Sequence, residues 1–183
     1  MRHEFQEIVL PYRKAQLEAW SSGDKSLLPA FVELDSMILN QHPYHFGEAF
    51  VLDHFHRAEG WLGFRFFALG TWEPNIPRYL KGRRMVEQLV PPAKLRAFRL
   101  ARSSDPKELA GKGEPDVFLY RPSGEMLFLE VKKGADKVDR YQLRCLSQIR
   151  EILGCRAEIV YLREEEARYQ AKTHTFEAPA SLG

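Results

Sequence analysis

The chain has 183 residues, 44% of them hydrophobic, which suits one compact domain with a real core. Its 27 basic and 25 acidic residues leave a formal charge of +2, so net charge alone announces no polyanionic partner. No stretch approaches the roughly 20 apolar residues that would span a bilayer, which excludes a membrane-spanning helix.

The opening "MRHEFQEIVLPYRK" has no apolar core of signal-peptide length, and Cys145 and Cys155 lack metal-ligand or redox spacing, so a reducing, cytoplasmic location is expected. Residues 1–43 read as a helical N-terminal extension, divided by Pro11, the "SSGD" cluster and Pro29. From Phe46 to Glu59 a helix is predicted: Val51, Leu52 and Phe55 share a face, Gly60 offers a stop, and Glu48 lies on the same stripe. "WLGFRFFAL" reads as a strand with Leu62, Phe64 and Phe66 on one side and Arg65 on the other.

After the loop "GTWEPNIP" comes a basic segment. Arg78, Lys81, Arg83, Arg84, Lys94, Arg96, Arg99 and Arg102 are accompanied by a single acid, Glu87, and Pro91 and Pro92 break the segment into helices. It reads as a basic helical insert over 78–104, suited to phosphate contacts or to a solvated face. The loop "SSDPKELAGKGEPD" then leads to a hairpin, with strands from Asp116 to Arg121 and from Glu125 to Lys133 around "PSG". A helix from Val138 to Leu153 carries Cys145, Leu146, Ile149 and Leu153 on one face, ends at Gly154 and precedes the strand "AEIVYL". Residues 163–183 read as a flexible tail. The order of elements predicts an α/β fold, a mixed central sheet flanked by helices.

The hairpin also raises a problem of charge. Successive strand residues point to opposite faces, so Glu130 and Lys132 fall on the side that Met126 and Phe128 should bury. If Asp116 lies alongside, two carboxylates and an ammonium meet at one end of an apolar sheet. Oxygen-only ligation of that kind suits Mg²⁺ or Mn²⁺ and not zinc. Without an ion the same residues would form a salt bridge.

"GEPDVFLY...EMLFLEVKKGADKVDRYQLRCLSQIREILGCRAEIVYL" resembles the VRR-NUC branch of the PD-(D/E)XK, or restriction-endonuclease-like, nuclease superfamily, found in the Fanconi-associated nuclease, in phage proteins and in stand-alone bacterial proteins. The resemblance covers residues 44–162 and implies a nuclease domain there. It implies a Mg²⁺- or Mn²⁺-dependent phosphodiesterase acting on DNA, with Asp116 and Glu130 as metal-binding carboxylates, Val131 lending its carbonyl, and Lys132 as the catalytic lysine that positions the attacking water. It also implies a glutamate on the first core helix, matched by Glu48 as a further metal ligand, and a glutamine after the lysine strand, matched by Gln142, which would steady the lysine or the scissile phosphate. Endonucleolytic action is expected because nothing marks an end-binding pocket.

Duplex or branched DNA is the expected partner, with backbone contacts assigned to Arg83, Arg84, Lys94, Arg96, Arg99, Lys133, Lys137 and Arg140. A homodimer and an immunity or repair partner protein are left open. So is the biological setting: DNA repair, phage DNA processing, or an antibacterial toxin delivered into another cell. A DNA-binding module that leaves its carboxylates unused is the alternative function. His42, His45, His54 and His56 cluster in sequence, but the spacing favours loop and cap chemistry over zinc ligation. Trp61 and Trp72 read chiefly as core, with Trp72 a minor candidate for stacking on a base.

Overall fold

Two apolar runs around the tight turn at Arg121–Gly124 pair as the expected hairpin, and this hairpin is one half of a larger sheet. The computed structural model describes residues 2–32, 44–70, 77–103 and 112–177, so His42, Trp72 and most of the loop before Lys112 lie outside the described residues. In chain order the elements are β1 (Arg2–Tyr12), α1 (Lys14–Ser21), α2 (Phe46–Glu59), β2 (Leu62–Phe64), α3 (Pro77–Leu89), α4 (Pro92–Ser103), β3 (Val117–Tyr120), β4 (Met126–Lys133), α5 (Arg140–Gln148), a π-helical turn (Ile149–Leu153), β5 (Arg156–Glu164) and β6 (Thr173–Glu177). The six strands form one mixed sheet in the order β2-β3-β4-β5-β1-β6. β4 runs parallel to β5, and β5 parallel to β1, while the β2-β3, β3-β4 and β1-β6 pairs are antiparallel. This is the α/β architecture of a mixed sheet flanked by helices.

Each strand's alternation divides its side chains between two cores. On one face Phe5, Phe118, Phe128, Ala157 and Ile159 pack under α3, α4, α5 and the π turn. On the other, Leu10, Val117, Leu119, Leu127, Leu129, Val160 and Leu162 pack under α1 and α2. The stripe Cys145, Leu146, Ile149 and Leu153 is buried as its spacing predicts, and both cysteines are free. α2 begins and ends where expected, with Gly60 in the left-handed conformation that closes it.

Three expectations are corrected. The described part of the N-terminal extension is not wholly helical: Lys14–Ser21 is a helix, but β1 lies inside the sheet, bonded to β5 through Glu7–Tyr12 and to β6 through Arg2–Gln6. The segment after Leu162 carries an edge strand, since β6 pairs with β1. The strand predicted in "WLGFRFFAL" stops at Phe64. Beyond it the Glu114 carboxylate accepts the main-chain N–H groups of Leu69 (3.0 Å) and Gly70 (2.9 Å), taking bonds that a sheet neighbour would otherwise make. α3 also presses so closely there that a Cβ on Gly82 would lie 2.3 Å from the Phe66 carbonyl oxygen.

One buried charge fastens β6 and its approach to β1. Glu7, with its side chain 3% exposed, accepts from Tyr169 Oη (2.6 Å), His174 Nε2 (2.8 Å) and the Lys172 N–H (2.9 Å). Burial pushes its carboxyl upward, but these donors outweigh burial and hold it below the ordinary value. A depressed carboxylate stabilises the fold above its unfolded value and loses that contribution as pH falls through its folded value. Glu7→Gln is therefore expected to cost about 1–3 kcal/mol at pH 7. In urea melts the deficit should shrink as pH falls below the ordinary value of 4.5 and on through the lower folded value.

Candidate functional site

The site forms where the β3–β4 hairpin opens, because main-chain bonds there hold Asp116 against β4. The Asp116 N–H, just before β3, donates at 2.9 Å to the carbonyl of Leu129, the register partner of Val117. Its Oδ2 accepts the Val131 N–H at 2.8 Å. By strand alternation Asp116, Glu130 and Lys132 share the face that buries Phe118 and Phe128.

Glu130 lies at the centre, its side chain 1% exposed. Its Oε1 accepts from Lys132 Nζ at 2.6 Å and from Gln142 Nε2 at 2.5 Å. Its Oε2 is buried and receives no donor. The neighbouring Asp116 carboxyl forms a hydrogen-bonded pair with it only when one of the two is protonated. Burial, and then the Asp116 charge, push Glu130 well above the usual carboxylate range against the pull of Lys132. Burial also raises Asp116, outweighing the Val131 N–H, and the Glu48 charge adds to the rise. Without a cation the pair is thus driven to share a proton.

Gln142 reaches this centre through a helix cap. Asp139 caps α5 with its Oδ1 on the N–H groups of Tyr141 (2.8 Å) and Gln142 (2.9 Å), while Gln142 Oε1 accepts the Asp139 N–H at 3.0 Å. With its oxygen so engaged, the amide presents nitrogen to Glu130. Its contact is the Glu130 carboxylate rather than Lys132. The D-x-x-Q spacing of "DRYQ" carried this signal.

Glu48 approaches from the opposite helical layer. Gly47 allows the start of α2 to lie close over β4, since a Cβ there would be 3.1 Å from Val131 Cγ1. His45 Nδ1 donates to Glu48 Oε1 at 2.6 Å. Burial raises the Glu48 carboxyl, but the His45 bond, its own backbone N–H and the charges of His45 and Arg65 hold it below the ordinary value. His45 is also the one positive-φ residue other than glycine among the described residues, at φ 62°, a region where histidine is enriched. Sequence reasoning passed over His45 and Arg65 as site residues. Both line an open cleft of about 280 Å³ with Glu48, Asp116, Phe66 and Tyr79.

The basic residues divide. Arg83 (3.0 Å) and Arg99 (2.8 Å) both bind Glu87, Arg99 Nε also donates to the Leu69 carbonyl, and Lys94 Nζ donates to the Leu153 carbonyl at 3.0 Å. Arg84 and Arg96 are exposed on α3 and α4, Lys137 and Arg140 are exposed before and at the start of α5, and Lys133 lies over the Phe46 ring. His56 Nδ1 bonds the Trp61 carbonyl, and Trp61 is fully buried. Among the described residues, no three or more His, Cys, Asp and Glu side chains gather closely enough to hold an ion by themselves.

No family model and no curated protein matches the chain. Among solved structures it is similar to paFAN1 bound to 1-nt 5′-flap DNA with a gap, at 27% identity over 50% of this chain and 17% of that one, with a TM-score of 0.40. It is also similar to paFAN1 bound to 2-nt 5′-flap DNA with a gap, at 16% identity over 90% of this chain and 38% of that one, with a TM-score of 0.46. The chain thus spans well under half the length of these neighbours. At such TM-scores the likeness assigns no activity to it.

Proposed function

We propose that this chain is a divalent-cation-dependent nuclease that hydrolyses DNA phosphodiesters, acting endonucleolytically. The observation that carries this reading is the buried Glu130 carboxylate, with Lys132 and Gln142 on one oxygen and the other left without a donor beside Asp116. Two adjacent buried carboxylates disfavour each other's charge, and a hard cation is the partner that removes that conflict.

The residues fit Mg²⁺ or Mn²⁺: Asp116 and Glu130 would hold it, with the Val131 carbonyl and water completing an all-oxygen set and Glu48 acting from the adjoining wall. Such an ion, when bound, supplies positive charge that stabilises the transition state and favours deprotonation of water. Lys132, held at Glu130 Oε1, places its ammonium where it orients the attacking water and steadies charge on the phosphate. Gln142 fixes Glu130, and the Val131 N–H fixes Asp116. Arg84, Arg96, Lys133, Lys137 and Arg140 supply backbone contacts that locate DNA without reading its bases.

The closed Lys132–Glu130 pair also favours a second reading, a DNA-binding module in which the pair is only a salt bridge. Incubation with linear and branched DNA in Mg²⁺, Mn²⁺ or EDTA separates the two. Metal-dependent cleavage supports the nuclease, and binding without cleavage under every metal supports the module. A toxin role further predicts that expression kills cells unless Lys132 is replaced.

A further inference from the structure

We propose that Tyr161, clamped by Tyr169, is a positioning residue that fixes the projecting end of β4 on which Lys132 stands. The inference deepens the nuclease reading and rests on it. The pairing of β3 with β4 ends at Val117 and Leu129, whereas β4 continues to Lys133 alongside β5. Glu130 and Lys132 therefore stand on a stretch with a full strand neighbour on one side only. On the other side the Asp116 carboxylate holds the Val131 N–H. Lys132 pairs in register with Tyr161, and register partners in adjacent strands point to the same face. The Tyr161 ring thus stands beside the stem of the lysine, and both are buried, at 8% and 9% exposure.

Tyr161 is itself held by both its hydroxyl and its ring. The hydroxyl donates to the Gly134 carbonyl at 2.6 Å, just past the end of β4. Gly134 takes the left-handed conformation at φ 61°, and the Asp136 N–H closes a turn on the Lys133 carbonyl at 3.1 Å. Residues 134–137 are exposed, so no burial steadies that turn, and the tyrosine hydroxyl ties it back to the sheet. The ring lies flat against Tyr169, with centroids 3.7 Å apart and planes within 5°. Tyr169 is in turn held by its hydroxyl on the buried Glu7 carboxylate at 2.6 Å. Because the Tyr161 hydroxyl is spent on a carbonyl, Lys132 is left to Glu130, and the ring fills the space toward β5 that the lysine would otherwise sweep. A reacting group is held in place when the side chains around it are locked by packing and hydrogen bonds of this kind. Tyr169 lies beyond residues 44–162, so a segment outside the nuclease resemblance supports the site.

Tyr161→Phe removes the hydroxyl and keeps the ring, and Tyr169→Ala removes the clamp at a half-buried loop position, which keeps the test decisive if the buried Tyr161 variant fails to fold. Each is expected to lower kcat for DNA cleavage in Mg²⁺ about three- to tenfold, while affinity for DNA in EDTA, read by fluorescence anisotropy, stays within about twofold. Tyr169→Phe keeps the stacked ring and is expected to recover most of the rate lost in Tyr169→Ala. Hydrogen exchange supplies a readout that needs no turnover. The main-chain amides of residues 133–136 should exchange about three- to tenfold faster in either Tyr161→Phe or Tyr169→Ala, with those of Ile159 and Val160 unchanged. Cleavage at the wild-type rate in both variants, or unchanged exchange at residues 133–136, overturns the proposal. Equal losses in kcat and affinity overturn it as well, since they mark general loosening. If wild type fails to cleave in either Mg²⁺ or Mn²⁺, the nuclease reading falls, and faster exchange confined to residues 133–136 still supports the clamp on the end of β4.

Discussion

Lys132→Ala is expected to slow DNA cleavage by about 10²–10⁴-fold in Mg²⁺ or Mn²⁺, the range typical of a group that positions or deprotonates a nucleophile. The loss should fall on kcat, with DNA affinity changed only a few-fold, because in the proposed function the exposed basic residues, and not Lys132, hold the DNA backbone. The fold should survive, since Glu130 keeps the Gln142 donor and its raised carboxyl takes up a proton readily once the ammonium is gone. A Lys132→Ala protein that cleaves at the wild-type rate would reduce the Lys132–Glu130 contact to a structural ion pair.

Asp116→Asn is expected to stabilise the metal-free protein at pH 8, because it removes the charge that helps push Glu130 upward while an amide oxygen still accepts the Val131 N–H. The sign follows from linkage. Glu130 and Asp116 have folded values above their unfolded ones of 4.5 and 3.8. The native state therefore binds more protons than the unfolded chain in that window, and the pair's contribution to stability falls as pH rises through it. The advantage of Asp116→Asn should accordingly shrink as pH falls through the raised folded values toward the unfolded ones of 4.5 and 3.8. Mn²⁺ at a hundred times its dissociation constant should add about 2.7 kcal/mol to wild type and little to Asp116→Asn. Chemical melts across pH, with and without Mn²⁺, read both effects.

Much of the site was legible because its signals are local. Period-two alternation around Pro122–Gly124 sets Asp116, Glu130 and Lys132 on one face, and one-face spacing places Glu48 and Gln142 at the starts of their helices. What the sequence hid depends on distant partners. β1 reads poorly because Glu7 interrupts its apolar run, and the groups that satisfy Glu7 lie at Tyr169, Lys172 and His174. Pro11 looked like a breaker, yet β6 pairs only with Arg2–Gln6, so the proline falls beyond that ladder. The early end of β2 turns on Glu114, distant in sequence from the N–H groups it binds. His45 gave no periodic signal because its role comes from a left-handed backbone at a helix start.

Calorimetric titration of the metal-free protein with Mn²⁺ tests the convergence of Asp116 and Glu130 most directly. Saturable binding at one site per chain in wild type, lost in Asp116→Asn and Glu130→Gln, is the predicted result. No binding by wild type, or undiminished binding by either variant, would contradict it.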